Sequence, residues 1–143
     1  MLAACAPNCD SNSVRRPIWR SQGYRDAIAE YKTATVVPSE TDKDGTRIWN
    51  RPLDSPVKAT VTGRPDAIQV SYPDEPKSRF AHSLQDYTTV REVRVKGPRL
   101  YIYRAATLMW IENRLAVYDL ANRKLLADWL VAPEDMPSRT EIR

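Results

Sequence analysis

His82 is the only histidine of the chain, and Cys5 and Cys9 are the only cysteines, so few side chains can act as a neutral-pH base or a soft nucleophile. A hydrolytic triad needs nucleophile, base and orienting acid to converge. His82 sits between Ala81 and Ser83, outside any G-x-S-x-G elbow, and a Cys9 and His82 pair would rest on a polar N-terminal tail rather than on a rigid support. The carboxylates Asp86, Glu92, Glu112, Asp119 and Asp128 fall at positions that read as solvent faces or turn ends, and glycosidic cleavage requires two that face each other across a cleft. The four glycines form neither a G-x-G-x-x-G run nor a phosphate loop. A zinc site wants three or four Cys, His or carboxylate ligands, and Asp42 and Asp44 before Gly45 lack the spacing of a calcium loop. No catalytic residue, metal or cofactor is therefore assigned, and the expected protein is not an enzyme.

The thiol chemistry that remains is covalent modification. Leu2-Ala3-Ala4-Cys5 places an aliphatic residue and two small residues directly before a cysteine. The four residues resemble the lipobox of bacterial lipoproteins, at which a peptidase cleaves and the cysteine thiol is acylated. The resemblance implies a mature chain starting at Cys5, held at the membrane by lipid, with Ala6 similar to the outer-membrane sorting class. A secretory signal also has a basic n-region and an apolar stretch of about 7–15 residues, which would have to precede Met1. Ala6 to Ser13 reads A-P-N-C-D-S-N-S, the composition of a flexible tether. If Cys5 is not acylated, a small Cys5 to Cys9 disulfide is the alternative.

Composition limits the partners. At 143 residues one core is expected, with 1–13 as signal remnant and polar tether, 14–132 as a single globular domain and 133–143 as a polar tail. The 22 cationic residues exceed the 18 anionic ones by four, but they are spread from Arg15 to Arg143 instead of clustering on one element. Nucleic acid is thus a disfavoured partner, and no run reaches the roughly 18 apolar residues of a membrane-spanning helix.

Two periods organise the rest. Tyr24, Ala27, Ile28 and Tyr31 recur at i, i+3, i+4 and i+7, with Arg25, Asp26, Glu30 and Lys32 on the other side, which predicts one short N-terminal helix. Pro38 to Pro56 reads as irregular around a turn at Asp44-Gly45, with Trp49 plugging the core edge. From Val57 the period is two. Val57, Ala59 and Val61, then Ile68, Val70 and Tyr72, predict two strands about a turn at 63–66. Pro73 to Lys77 reads as a loop and Ser78 to Gln85 as a helical turn. Val93 and Val95, the Gly97-Pro98 turn and Leu100 to Tyr103 predict a hairpin. The fold class expected is mainly β (α+β), a small antiparallel sheet, sandwich- or barrel-like, with that one helix.

Between Thr107 and Val131 a helical stripe competes with a hairpin. Residues 114–129 carry an aliphatic strand, Asp119, a turn, Lys124 and an apolar strand ending on Trp129, and resemble one strand-turn-strand unit of quinoprotein-type β-propellers. Arg123 stands where that family's turn has glycine, and the likeness covers too little chain for a propeller, so it implies a local hairpin alone. Tyr101, Tyr103, Trp110, Tyr118 and Trp129 form the candidate interaction surface. Alternation puts Tyr101 and Tyr103 on one face of their strand, to be covered by the chain's own helix or by a partner subunit.

The expected function is a non-catalytic cell-envelope lipoprotein, anchored through Cys5 at the periplasmic side of the outer membrane, serving as an interaction or assembly module with a protein partner or as a homo-oligomer. The alternatives are a structural subunit of a larger assembly, such as a virion or secretion machine, translated from Met1, and a small-ligand-binding module.

Overall fold

The apolar stripe of residues 24–31 forms a helix because it has something to lie on. The computed structural model describes residues 21–82, 88–106 and 113–135. Helix α1 (Gln22–Thr33) starts at Ser21, whose Oγ accepts the Tyr24 N–H, and buries Tyr24, Ala27, Ile28 and Tyr31. Its C-terminus has no glycine. Arg94 caps it instead, donating from Nη1 to the Tyr31 and Lys32 carbonyls.

The strands make two antiparallel sheets. The first contains β1 (Thr35–Val36), β7 (Thr88–Lys96), β8 (Arg99–Ala106), β9 (Arg114–Asp119) and β10 (Lys124–Leu130), in the order β1-β7-β8-β9-β10. The second is a meander of β2 (Glu40–Thr41), β3 (Arg47–Pro52), β4 (Thr60–Arg64), β5 (Ala67–Tyr72) and β6 (Glu75–His82). The chain thus lays one short strand into the first sheet, builds the whole second sheet, and returns to finish the first.

Period-two alternation then assigns faces. Along β8, Leu100 and Ile102 point between the sheets, where they meet Trp49, Val61, Ile68, Val70, Val93, Val95 and Leu120. Tyr101 and Tyr103 point the other way, under α1, with Leu115 and Val117 of β9. The first sheet is therefore the middle of three layers: helix, sheet, sheet. Each fully buried Leu, Ile or Val of this kind is worth roughly 1.5–3 kcal/mol relative to exposure. In β7 a register shift between Val90 and Glu92 turns Val90 toward the second sheet and Glu92 toward the helix.

The mainly β, sandwich-like architecture with one helix agrees with the expectation, and four local readings need correction. Residues 38–56 are not simply irregular: β2 and β3 flank the Asp42 to Thr46 turn, in which Asp42 Oδ1 accepts the Asp44 and Thr46 N–H groups, and Trp49 lies fully buried inside β3. The segment read as a loop from Pro73 is a tight turn, with strand resuming at Glu75. Residues 78–82, read as part of a helical turn, continue β6 and pair with β5 from Val70↔Phe80 to Ile68↔His82. Backbone pairing with an open strand edge outweighs weak local helical spacing. Glu92, read as lying on a solvent face, is 1% exposed. The competition over 114–130 resolves as a hairpin of β9 and β10.

Candidate functional site

The helix and the last strand leave a groove between them. Gly23, Asp26, Ala27 and Glu30 form its helical wall at i, i+3, i+4 and i+7, and Leu126, Ala127 and Trp129 of β10 form the opposite wall. Arg99, Tyr101 and Val117 make the floor, and the space is about 310 Å³. Gly23 faces the Trp129 ring, and a methyl group there would make ordinary van der Waals contact with it at 3.5 Å. Trp129 also packs edge-on against Tyr24, with ring centroids 5.8 Å apart.

One end of the groove is held by charge. Arg99 donates from Nε and Nη2 to the two Glu30 carboxylate oxygens at 2.6 and 2.9 Å, and Tyr101 donates its hydroxyl to the same carboxylate. The hydrogen bond from Arg99 holds Glu30 below the usual carboxylate range. Burial, and then the bond to Glu30, push the Tyr101 phenol upward. Asp26, on the same wall, accepts from the Gln22 amide at 2.7 Å.

β10 combines a sheet edge with exposed apolar side chains. It ends the first sheet, with β9 on one side and no described strand on the other. Leu125 and Leu126 are 48% and 47% exposed; with Val36 of β1 they are the exposed large hydrophobics of the described residues. A register shift between Leu125 and Ala127 makes Leu126 the bulged residue.

The other carboxylates read from sequence are tied into the fold. Glu92 Oε1 accepts from the Tyr31 hydroxyl and from Arg94 Nε, each at 2.6 Å, and Arg94 stacks over the Tyr31 ring. Asp128 binds Arg104, which is 4% exposed, and Arg114. Asp119 accepts the Ala121 and Asn122 N–H groups and closes the β9-β10 turn. His82 is the last residue of β6. Asp86 and Glu112 lie outside the described residues, as do Cys5, Cys9 and Trp110.

The candidate aromatic surface is divided by the strand period. Tyr101, Tyr103 and Trp129 come together beneath α1, whereas Tyr118 lies on the opposite face, between the sheets. Tyr101, Tyr103 and Tyr118 are each at most 2% exposed. The chain's own helix covers Tyr101 and Tyr103, and the second sheet covers Tyr118. No protein-family model, curated protein or solved structure matches this chain. The groove residues Asp26, Glu30 and Arg99 were not singled out by sequence, because a helix's polar face reads as solvated. The consecutive leucines 125 and 126 carried a weaker signal: two adjacent apolar residues of a strand are both covered only where both faces of the sheet are, as they are along β8 and are not at this edge.

Proposed function

We propose that this chain is a non-catalytic cell-envelope lipoprotein, tethered through Cys5, whose β-domain works as an interaction and assembly module through the β10 edge. The observation that carries the docking role is a seven-residue edge strand bearing two adjacent, half-exposed leucines beside a groove. Monomeric proteins blunt such edges with charge, proline or brevity, and an extended segment of a partner pairs with one that is left open. The engagement of Glu30, Glu92, Asp119 and Asp128 in structural bonds supports a non-catalytic reading, and the lipobox-like Leu2-Ala3-Ala4-Cys5 supports the anchor.

Two measurements test it. The gene, expressed with its upstream codons and fed radioactive palmitate, should give label that is lost in Cys5→Ala; absent label, or label surviving that change, removes the anchor. A photo-crosslinking amino acid at position 125 should give a discrete adduct in cells that Leu126→Lys abolishes. An adduct pattern no different from that at exposed Lys58 removes the docking role.

A further inference from the structure

Among the described residues the two buried clusters have no member in common. Trp49, Val61, Ile68, Val70 and Ile102 pack between the sheets, whereas α1 packs only on the outer face of the first sheet. The middle layer separates the two covers, so taking α1 away leaves the intersheet core closed. We infer that α1 is a removable cover: it opens as a unit while both sheets stay folded, and its opening gives access to Tyr101 and Tyr103.

What α1 loses by leaving is small. Its buried residues are Tyr24, Ala27, Ile28 and Tyr31, so Ile28 is the one branched aliphatic side chain it contributes. The remaining attachments are polar. Tyr24 donates to Asp135 and accepts from the Ala132 N–H, Tyr31 donates to Glu92, and Arg99 and Tyr101 hold Glu30. Each of these groups bonds to water once α1 has left. Glu92 gains most, because the closed structure keeps this carboxylate almost wholly out of water. Freed from the sheet, a helix of 12 residues is too short to persist in water, so the chain from Gln22 to Thr33 also regains conformational entropy. The cost falls on the sheet face, where Tyr101, Tyr103, Leu115 and Val117 lose their cover, and it keeps the open state rare. Parting the two sheets costs more, since it uncovers Trp49 and the aliphatic side chains around it together. Opening energies within one fold form a ladder, and this contrast sets α1 on a lower rung than the sheets.

Native-state hydrogen exchange separates the two units, using the full chain with Cys5→Ser and Cys9→Ser. Amides of α1 from Ile28 to Thr33 should exchange more than about tenfold faster than the slowest amides of β4, β5 and β8. Val61→Ala places a cavity in the part that stays folded, so it should speed the β amides by at least about tenfold and leave α1 unchanged. Ile68→Val, a gentler change in the same layer, should act in the same sense by about fivefold. Glu30→Gln weakens a contact that local and global opening both break, so it should speed the two sets of amides by one common factor. Tetranitromethane then reads access to the side chains. Nitration of Tyr101 and Tyr103, located by peptide mass, should keep pace with α1 exchange and ignore Ile68→Val, while nitration of Tyr118 between the sheets should follow the β amides. Equal exchange of α1 and the β amides in the parent chain overturns the removable cover. So does an α1 that speeds up with Val61→Ala or Ile68→Val, or nitration of Tyr101 and Tyr103 that follows the β amides.

Discussion

Arg94→Met should be among the most damaging single substitutions outside the intersheet core. Glu92 is 1% exposed, and its Oε1 takes hydrogen bonds from Arg94 and Tyr31 at 2.6 Å each. Removing the guanidinium leaves a buried carboxylate with one phenolic donor, and breaking a buried pair in this way costs about 3–5 kcal/mol. Arg94 also donates to two carbonyls at the end of α1 and stacks on Tyr31 at 4.5 Å, which adds about 1 kcal/mol. Against a total stability of about 5–15 kcal/mol for a domain, the variant should be close to unfolding. Tyr31→Phe, which keeps the Arg94 bond, should cost about 1.5–3 kcal/mol. The triple variant Tyr31→Phe, Glu92→Leu, Arg94→Met removes every member of the network, and because apolar replacement of a buried pair is often nearly neutral it should recover to within about 2 kcal/mol of wild type. Urea titration followed by circular dichroism at pH 7 measures all three. A loss below about 1 kcal/mol for Arg94→Met, or a triple variant no more stable than that single one, would refute the claim that the cost is an orphaned charge.

Gly63 stands opposite Trp49 at φ +144°, and a Cβ there would lie 2.1 Å from the Ala67 carbonyl oxygen, so Gly63→Ala should cost at least about 3 kcal/mol by thermal melting. Arg123 occupies φ +57° in the β9-β10 turn while binding Asp74 and Glu75 and stacking on Tyr72; Arg123→Ala loses those contacts and keeps the backbone strain, so it should melt several degrees below Arg123→Gly, which loses the contacts alone. Glu30 is held below the usual carboxylate range by Arg99, so the unfolded chain takes up its proton first as pH falls. That contribution is complete above the unfolded value near pH 4.3 and is lost as pH drops through the lower folded value; Glu30→Gln should flatten this acid limb of a stability profile. Burial raises the phenols of Tyr24, Tyr31 and Tyr101, so their stabilisation holds below about pH 10 and fades above it. Absorbance at the tyrosinate band should therefore rise in two stages, the second coinciding with unfolding.

The elements legible in sequence were those whose period matched their burial. Tyr24, Ala27, Ile28 and Tyr31 are the buried residues of α1, and Ile68, Val70 and Tyr72 alternate inward along β5 as their spacing predicts. Gly97, at φ +57°, turns β7 into β8. What was illegible depended on distant partners. Trp49 sits amid residues of turn-like composition, and its strand exists because β4 pairs with it. Glu92 reads as polar surface until the bulge in β7 turns it beneath Tyr31, 61 positions away in sequence. Of the site, the aromatic layer was visible but its cover was open to two readings. The groove was invisible, since Asp26 and Glu30 look solvated on a helix considered alone.

The order in which the sheets are laid down has a consequence in time. Tyr24 bonds to Asp135 across 111 positions, and the helix stripe has no surface to rest on until β8, β9 and β10 exist. At the roughly 5–20 residues per second of translation, α1 waits about 5–20 s for its platform. During that interval the second sheet is complete as a meander, but both its apolar face and the helix are uncovered. Folding is thus governed by contacts of high sequence separation, which are slow to close, and the nascent chain stays pliable almost to its last strand.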